Sequence, residues 1–401
     1  MQIISNRVRV SSNSSAPIRE FIFQSRYAER RHEPGICDFT LGNPHEMPLP
    51  GIVDAIQRHA VPHDKDWFAY KTSEPEPQAF LAECLTEELS LPFEPADIAL
   101  TNGGFAAIAV ALRLLLDVGD EAIFPVPAWF NYEAMLLAAD SVPKKVNLQG
   151  ARFDLDLSAI EEAITSRTRL VIINSPHNPT GRIYGRSELE RLARMLDRAS
   201  ERIGHRILIL SDEPYRRIRF DNHEFTSPAK IYPWTLIAYS YGKVLLAPGQ
   251  RLGYLAVSPL MPREERQALQ QNFFSAQKNL GWCFPNAVMQ YALPDLEKLS
   301  IDMTALASKR RLMTETLGGA GYEVLRPEGT FYMFCKYPNG DAQQFLDALA
   351  DHDVFVLPGR IVDAPDHFRI SLTASADMVA RSLPIFADVA GTMRKKHQPA
   401  A

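Results

Sequence analysis

The stretch that decides the fold is Ser240-Tyr241-Gly242-Lys243, in which a lysine follows directly after an apolar run at 236–240. Short apolar runs of this kind, bounded by turn residues, are typical of strands that are buried on both faces of a sheet. An amphipathic helical pattern at 187–200 lies between two of these runs. Such alternation predicts an α/β fold with a mainly parallel sheet between helices. The other apolar runs lie at 121–125, 170–174, 207–211 and 252–257.

Polar side chains follow three of these predicted strands. Asn178, Asp212 and Lys243 each come just after an apolar run. Functional groups of parallel sheets gather at the carboxyl ends of the strands, so we expect these three side chains to share one site. From about residue 285 the pattern changes, which predicts a second, smaller α+β domain with helices at 287–305 and 307–318 and strands at 329–336 and 368–372.

The candidate residues also have plain structural interpretations. A lysine in apolar surroundings is more often a surface residue than a catalyst. A buried aspartate is costly unless it is paired, so the structural alternative for Asp212 is a salt bridge to Arg216, Arg217 or Arg219. The residues at 101–107 lead from a strand into an apolar helix, whose free N–H groups favour an anion, although an ordinary glycine-rich turn has the same pattern.

Together, four segments resemble the class I and II aminotransferases of pyridoxal phosphate (PLP) fold type I. They are Gly103-Gly104, Asn178-Pro179-Thr180-Gly181, Asp212-Glu213-Pro214-Tyr215 and Ser240-Tyr241-Gly242-Lys243, with Arg251 eight residues after the lysine. The resemblance runs from about residue 41 to residue 369. It implies a large domain with a mainly parallel seven-stranded sheet sandwiched by helices, plus a smaller α+β domain. The implied bounds are 1–44 for an N-terminal segment joining the small domain, 45–284 for the large PLP-binding domain and 285–401 for the small C-terminal domain.

The resemblance also implies roles for individual residues. Lys243 is implied as the Schiff-base lysine and proton shuttle, and Asp212 as the carboxylate that keeps the pyridine nitrogen protonated. Tyr215 completes the implied catalytic set as a donor to the cofactor's phenolic oxygen. Many relatives place a Ser, Thr or Lys side chain at Phe105, which here leaves the backbone to contact the phosphate. The implied cofactor contacts are Tyr70, Gly103, Gly104, Phe105, Trp129, Asn178, Asp212, Tyr215, Ser240, Lys243 and Arg251.

Substrate binding and assembly follow from the same resemblance. Arg369 is implied as a bidentate clamp on the substrate α-carboxylate, with Gly42 and Asn178 beside it. Its structural alternative is an internal Asp or Glu partner. Tyr70 is implied to reach the phosphate of a neighbouring subunit, so the resemblance implies a homodimer. The implied substrates are an α-amino acid and a 2-oxo acid.

The leading hypothesis for function is therefore a PLP-dependent aminotransferase that works by a ping-pong mechanism. The alternative keeps the fold and the cofactor but changes the outcome to that of a β-lyase, a decarboxylase or an amino-acid oxidase. A transcriptional regulator with an aminotransferase-like domain ranks last, because too few residues precede residue 41 for a winged helix.

The sequence restricts the substrate side chain only loosely. Candidate contacts lie near Asn43, near Trp67 and at 271–283, where Gln277 and Lys278 stand. Dicarboxylate-specific relatives carry an arginine in this last region. No arginine lies between 266 and 310 in this chain, so the sequence does not favour a dedicated aspartate enzyme.

Bulk composition restricts the partners. The chain has 43 Lys and Arg against 48 Asp and Glu, a net charge of -5, which weighs against nucleic acid as a partner. Its four cysteines are far apart, so no metal site is expected. Without a secretory signal or a long apolar stretch, we expect a soluble, cytoplasmic protein with no membrane partner. The polar segments at 11–15 and 394–397 are expected to be frayed tails.

Overall fold

The computed structural model describes residues 3–281, 284–338 and 341–397, and of residues 395–397 it describes only the backbone. Across these ranges the strands form two β-sheets, one of seven strands and one of five. The strands are β1 (Cys37–Phe39), β2 (Ile98–Thr101), β3 (Glu121–Val126), β4 (Val142–Asn147), β5 (Thr168–Asn174), β6 (Leu208–Asp212), β7 (Thr235–Ser240), β8 (Gly253–Val257), β9 (Val324–Leu325), β10 (Tyr332–Lys336), β11 (Val354–Pro358) and β12 (His367–Ser371).

Helices connect most of these strands. Helix α9 confirms the amphipathic helix that the sequence predicts at 187–200. No helix in the described ranges is long and apolar enough to cross a membrane. The helices are α1 (Asn6–Ser14), α2 (Ala16–Gln24), α3 (Arg26–Arg30), α4 (Pro50–His59), α5 (Pro75–Leu89), α6 (Gly103–Leu115), α7 (Tyr132–Ala138), α8 (Leu157–Ala163), α9 (Arg186–Ile203), α10 (Tyr241–Val244), α11 (Arg263–Leu280), α12 (Ala287–Tyr291), α13 (Leu293–Leu296), α14 (Met303–Gly319), α15 (Ala342–Ala350) and α16 (Ala376–His397).

The larger sheet has the strand order β2-β8-β7-β6-β5-β3-β4. β8 runs antiparallel to both of its neighbours, and the other paired strands run parallel. Strands β3, β7 and β8 are buried at every residue, as expected for a sheet with helices on both faces. The mainly parallel seven-stranded sheet of PLP fold type I is confirmed.

Two separate hydrophobic clusters lie against this sheet. Successive side chains of a strand point to opposite faces, so neighbouring residues of β6 enter different clusters. Leu210 packs with Ile108 of α6, whereas Ile209 packs with Leu192 of α9. Helices α6 and α9 therefore cover opposite faces of the sheet.

The smaller sheet joins the N-terminal segment to the C-terminal part of the chain. Its order is β1-β11-β12-β10-β9, and β1 runs parallel to β11 with Cys37 opposite Val354. Helices α14, α15 and α16 pack on this sheet through a cluster that includes Met313, Phe345 and Phe386. The domain bounds 1–44, 45–284 and 285–401 stay a prediction.

The predicted helix at 307–318 is confirmed within α14, but the predicted continuous helix at 287–305 is wrong. The structure has two short helices, α12 and α13, and then the long helix α14. Asp302 caps α14, because its carboxylate accepts hydrogen bonds of 2.9 Å from the backbone N–H groups of Thr304 and Ala305. An N-cap residue has non-helical geometry, so α14 begins after Asp302 and does not continue back into α13.

The predicted frayed tails are also wrong. Residues 11–15 lie in α1 and at its junction with α2, and residues 394–397 lie in α16. The Ser5 hydroxyl caps α1, and Arg7 of this helix bonds Asp140 next to α7. Met393 of α16 is buried in the cluster on the smaller sheet. Both segments thus belong to helices that make tertiary contacts, α1 through Arg7 and α16 through Met393.

Candidate active site

One cavity of about 250 Å³ opens at the carboxyl ends of the parallel strands. It brings together most of the residues that the sequence predicts for a site, in agreement with the rule for open α/β sheets. Its lining comprises Leu41, Gly42, Asn43, Gly104, Phe105, Ile108, Trp129, Phe130, Asn174, Asn178, Asp212, Pro214, Tyr215, Ser240, Lys243, Pro248, Arg251, Tyr332 and Arg369.

Asp212 stands at the end of β6 and is buried. Its carboxylate accepts hydrogen bonds from the Tyr132 hydroxyl and, at 3.4 Å, from the Asn174 side-chain amide. Burial raises the pKa of Asp212 to about 7, although the bond from Tyr132 and the charge of Lys243 lower it. A cation placed against this carboxylate would therefore be strongly favoured.

The arginines after β6 do not pair with Asp212. Arg216 and Arg217 both bond the Glu88 carboxylate, at 2.8 Å and 2.9 Å. Arg219 donates instead to the backbone carbonyl of His223. The salt-bridge alternative for Asp212 is wrong, because the side chains of these arginines are held by other acceptors.

Lys243 lies in the short helix α10, which directly follows β7. Its Nζ atom is 6.0 Å from the centre of the Tyr215 ring and 5.9 Å from that of Phe331. Both side chains line the cavity: Asp212 is the last residue of β6, and Lys243 follows the neighbouring strand β7. An amine and a carboxylate thus face the same space.

The first turn of α6 forms one end of the cavity. Gly103 has φ +77°, and a Cβ atom on it would lie 3.0 Å from the Arg251 guanidinium. A Cβ atom on Gly104 would lie 3.2 Å from the Ser240 Cβ. Arg251 donates to the carbonyl of Asn102 at 3.2 Å, which holds its charge beside the helix N-terminus. Open backbone amides, a hydroxyl and a guanidinium form a donor set that fits a phosphate group.

Two aromatic side chains form a wall near this end. The Phe105 and Trp129 rings meet edge to face at 5.3 Å, and Trp129 meets Tyr132 in the same way. Ring pairs of this geometry are favourable beyond the area that they bury. The flat, half-buried Trp129 side chain fits a planar ring beside it.

Arg369 also lines the cavity and is 2% exposed. It donates to the Asn178 side-chain oxygen at 2.8 Å and to the Thr40 carbonyl at 2.9 Å. In the described part of the chain no carboxylate pairs with it, so the predicted alternative of an internal Asp or Glu is wrong. A buried guanidinium without an acid partner fits an incoming carboxylate.

The structure does not bring every predicted residue into the cavity. Tyr70 is fully exposed and lies outside the lining. Gly103 is also outside the lining, although it lies against the Arg251 guanidinium. Among the candidate side-chain contacts, Asn43 lines the cavity. Trp67 stacks on Tyr291 instead, and Gln277 donates to the Leu100 carbonyl. Cys283, at the end of the predicted segment 271–283, lies outside the described residues.

Sequence reasoning missed two polar residues that line the cavity, Asn174 and Tyr332, and it missed Tyr132, which bonds Asp212 without being one of the lining residues. Asn174 ends β5 directly opposite Asp212 in the parallel register, and its place at a strand end was a usable signal. Tyr132 lies three residues after Trp129, at the start of α7, so one helical turn separates them. Tyr332 of β10 has no local signal, because the smaller sheet carries it to the cavity.

The chain is similar in sequence and in structure to known proteins. The family described as aminotransferase class I and II matches residues 34–383. The aspartate/prephenate aminotransferase of Thermus thermophilus is 29% identical over 90% of this chain and 93% of that protein. The aspartate/prephenate aminotransferase of Cereibacter sphaeroides is 31% identical over 84% of this chain and 86% of that protein. An amino transferase structure from Eubacterium rectale superposes with a TM-score of 0.89 at 29% identity, covering 99% of this chain and 100% of that one.

Proposed function

We propose that Lys243, Asp212 and Arg369 carry the reaction of this chain, which belongs to the class I and II aminotransferase family. The protein is a PLP-dependent aminotransferase, and its substrates are an amino acid and an oxo acid. When bound, PLP supplies an aldehyde that takes up the amino group and a protonated ring that accepts electrons. The main support for the proposal is that Lys243, Asp212 and Arg369 line one cavity.

Lys243 and Asp212 are the proposed chemical pair. The Lys243 amine holds the cofactor at its aldehyde carbon and, once released, moves a proton between the substrate Cα and that carbon. Asp212 keeps a proton on the ring nitrogen, and the resulting cation relieves the cost of burying the carboxylate. Tyr132 and Asn174 hold the carboxylate in place through their hydrogen bonds. Tyr215, which is buried beside Lys243, is the proposed donor to the phenolic oxygen.

The phosphate is proposed to bind at the N-terminus of α6. The backbone amides of Gly103, Gly104 and Phe105 would donate to its oxygens, and the helix dipole adds to the attraction. Ser240 and Arg251 supply a hydroxyl and a planar cation at the same end. Trp129 would lie against the cofactor ring, because its flat side chain lines the same cavity as Lys243 and Asp212.

Arg369 is proposed to hold the substrate α-carboxylate. Its guanidinium is already oriented by Asn178 and the Thr40 carbonyl, so little side-chain freedom is lost when a carboxylate binds. Gly42 lies next to it in the lining and offers a backbone contact. Fixing the carboxylate orients the Cα–H bond toward Lys243, which is the usual contribution of such a clamp.

The amino donor is proposed to carry an uncharged side chain. In the described lining, the basic side chains are Lys243, Arg251 and Arg369, and each already has a partner in this proposal. The remaining walls include Leu41, Ile108 and Phe130. A second carboxylate in such surroundings would lack a counter-charge, which is costly. The proposal therefore departs from the aspartate in the names of the two relatives.

A homodimer is the proposed assembly. Tyr70 and Phe68 are exposed on the surface of one chain, as is Phe274 of α11. Large exposed aromatic side chains are costly in water and are enriched at interfaces. Burying them against a second copy would remove that cost and would allow Tyr70 to reach the phosphate end of the neighbouring cavity.

A half-reaction screen tests the proposed chemistry and substrate. The PLP-loaded enzyme is mixed with each amino acid, and conversion is followed by the change in cofactor absorbance. We expect the fastest conversion with an apolar or aromatic amino acid and none after Lys243→Ala. Lys278→Ala is the matched control, because Lys278 lies against Phe274 and outside the cavity. Fastest conversion of aspartate would contradict the side-chain proposal, and conversion by Lys243→Ala would contradict the role of the lysine.

A further inference from the structure

The ring of Tyr332 lies against the guanidinium of Arg369. The Cζ atom of Arg369 is 3.9 Å from the centre of this ring. The contact follows from the sheet, because β10 and β12 are antiparallel with Phe334 opposite Arg369 and Tyr332 opposite Ser371. Tyr332 and Arg369 are thus diagonal neighbours on one face of the sheet, within reach of long side chains.

The neighbours of Tyr332 leave little room for another position of its ring. A Cβ atom on Gly42 would lie 2.5 Å from the Tyr332 hydroxyl and 2.9 Å from the Phe331 ring. The ring also packs edge to face on Tyr215 at 5.9 Å. Glycine at 42 therefore leaves the room that the Tyr332 ring occupies beside the guanidinium.

The stacking leaves the edge of the guanidinium available. An arginine has five N–H donors in one plane. Asn178 and Thr40 accept two of them, and Nε has no partner among the described residues. A ring face binds a cation without using those donors, so a carboxylate can still approach in the plane of the fork.

From this geometry we infer that Tyr332 is a positioning residue, whose ring fixes the plane of Arg369 for the substrate carboxylate. The inference rests on the role proposed above for Arg369. Burial opposes ionisation of Tyr332, yet the charges of Arg369 and Lys243 hold its pKa below the usual range of a tyrosine, which agrees with close contact. The hydroxyl is not needed for stacking, so the ring alone carries the effect.

The test compares variants that keep or remove the ring. We expect Tyr332→Leu to raise the half-saturation concentration of the amino acid by roughly tenfold, the factor expected for loss of a desolvated cation–π contact, with a much smaller change in the maximal half-reaction rate. Tyr332→Phe should stay close to the parent. The dissociation constant of 3-phenylpropanoate, a carboxylate that has no amino group and cannot react, should change in parallel.

Two controls separate positioning from damage to the fold. Phe345→Leu removes a ring from the same core, but one that packs on Tyr337 and Phe368 rather than on Tyr332, and it should leave both binding constants unchanged. In a double-mutant cycle, Tyr332→Leu should have no further effect on half-saturation once Arg369→Gln is present, because the residue acts through that arginine. Should Tyr332→Leu fail to fold, Tyr332→Met takes its place in the cycle.

The possible outcomes distinguish this inference from the proposed function. If Arg369→Gln leaves half-saturation unchanged, the proposed carboxylate site is wrong, and with it the role of Tyr332. If Arg369→Gln raises it but the ring-less variants do not, only the inference is overturned. An equal effect of Tyr332→Phe and Tyr332→Leu overturns it too, because the hydroxyl would then carry the effect. Additive effects in the cycle would show that Tyr332 acts without Arg369.

Discussion

Asp212 owes its position to side chains that stand far from it in the sequence. Tyr132 donates to its carboxylate from the start of α7, and Asn174 donates from the end of the neighbouring strand. Neither residue can replace a charge, so the raised pKa of Asp212 persists in spite of both bonds. The ring nitrogen of the cofactor is the group that we propose to supply the missing cation.

At the residue scale, we predict that Tyr132→Phe lowers turnover about tenfold, because Asp212 loses a charge-assisted hydrogen bond. Asp212→Asn should lower it further, by roughly 10²- to 10³-fold, because an amide cannot stabilise a protonated ring. Tyr184→Phe is the matched control, since the buried Tyr184 hydroxyl has no hydrogen-bond partner among the described residues. Steady-state rates measure all three. A Tyr132→Phe rate equal to the parent would show that Asp212 is oriented without this bond.

The sequence predicts the chemical residues better than the residues that support them. Lys243, Asp212 and Asn178 follow strands, and strand ends meet at one edge of a parallel sheet, so their shared cavity was predictable. Of the hydrogen-bond partners of Asp212, Asn174 also ends a strand and could have been predicted, whereas Tyr132 could not. Arg216 is four residues from Asp212 yet bonds Glu88, because the turn after β6 directs it away. Tyr332 reaches the cavity only through the smaller sheet, which no local pattern describes.

At the element scale, the turn between β5 and α9 contains a neutral histidine. His177 is buried, its Nδ1 is 2.8 Å from the Thr180 hydroxyl, and burial lowers its pKa to about 3. Below about pH 6.5, His177 therefore binds a proton in the unfolded chain but stays neutral in the folded chain. Stability from this group is full above that pH and is lost as the pH falls toward 3.

We predict that His177→Asn reduces the pH dependence of unfolding. Between pH 7.5 and pH 5.5 the parent should lose about 1.4 kcal/mol more of its free energy of unfolding than the variant does. Asparagine can keep a bond to Thr180 but does not titrate. His352→Asn is the control, because His352 is exposed. Urea unfolding of the three proteins at both pH values measures the difference. An unchanged slope in His177→Asn would show that the histidine is protonated in the folded state.

Helices and strands with a regular spacing of apolar residues were predictable, and those that depend on tertiary contacts were not. The buried strands and α9 match their predicted positions closely, because their apolar patterns are long and regular. The region after residue 285 reads as two long helices, 287–305 and 307–318, but the first is divided, because α13 ends at Leu296 and α14 begins only after Asp302. Polar α1 is helical because it packs against α7, a contact that composition cannot reveal.

At the scale of the whole molecule, the prediction concerns assembly. Tyr70 is exposed on one chain, so in a dimer it can act only on the cavity of its neighbour. We expect Tyr70→Phe to weaken PLP retention by about 1.5 to 3 kcal/mol, the usual value for a bond to a charged group. Mixing Tyr70→Phe with Lys243→Ala subunits should restore activity, because each mixed dimer has one cavity with both defects and one with neither. Cofactor release and activity after subunit exchange measure these effects.

Two results would contradict this assembly. A fully active monomer at the assay concentration would show that one chain forms a complete site. Absence of recovery after exchange, with Tyr70→Phe clearly impaired alone, would place the tyrosine in its own subunit. Mixing Lys243→Ala with Lys278→Ala is the matched control, since Lys278 lies outside the cavity and that mixture should retain half of the sites of the parent.

The measurement that tests the central claim most directly is the identity of the lysine that binds the cofactor. Borohydride reduction of the PLP-loaded enzyme fixes the cofactor to its lysine, and mass spectrometry of the peptides then locates the added mass. We predict that the pyridoxyl group is found on Lys243, which lies beside Tyr215 and shares the cavity with Asp212. A pyridoxyl group on any other lysine, with Lys243 unmodified, would contradict the account.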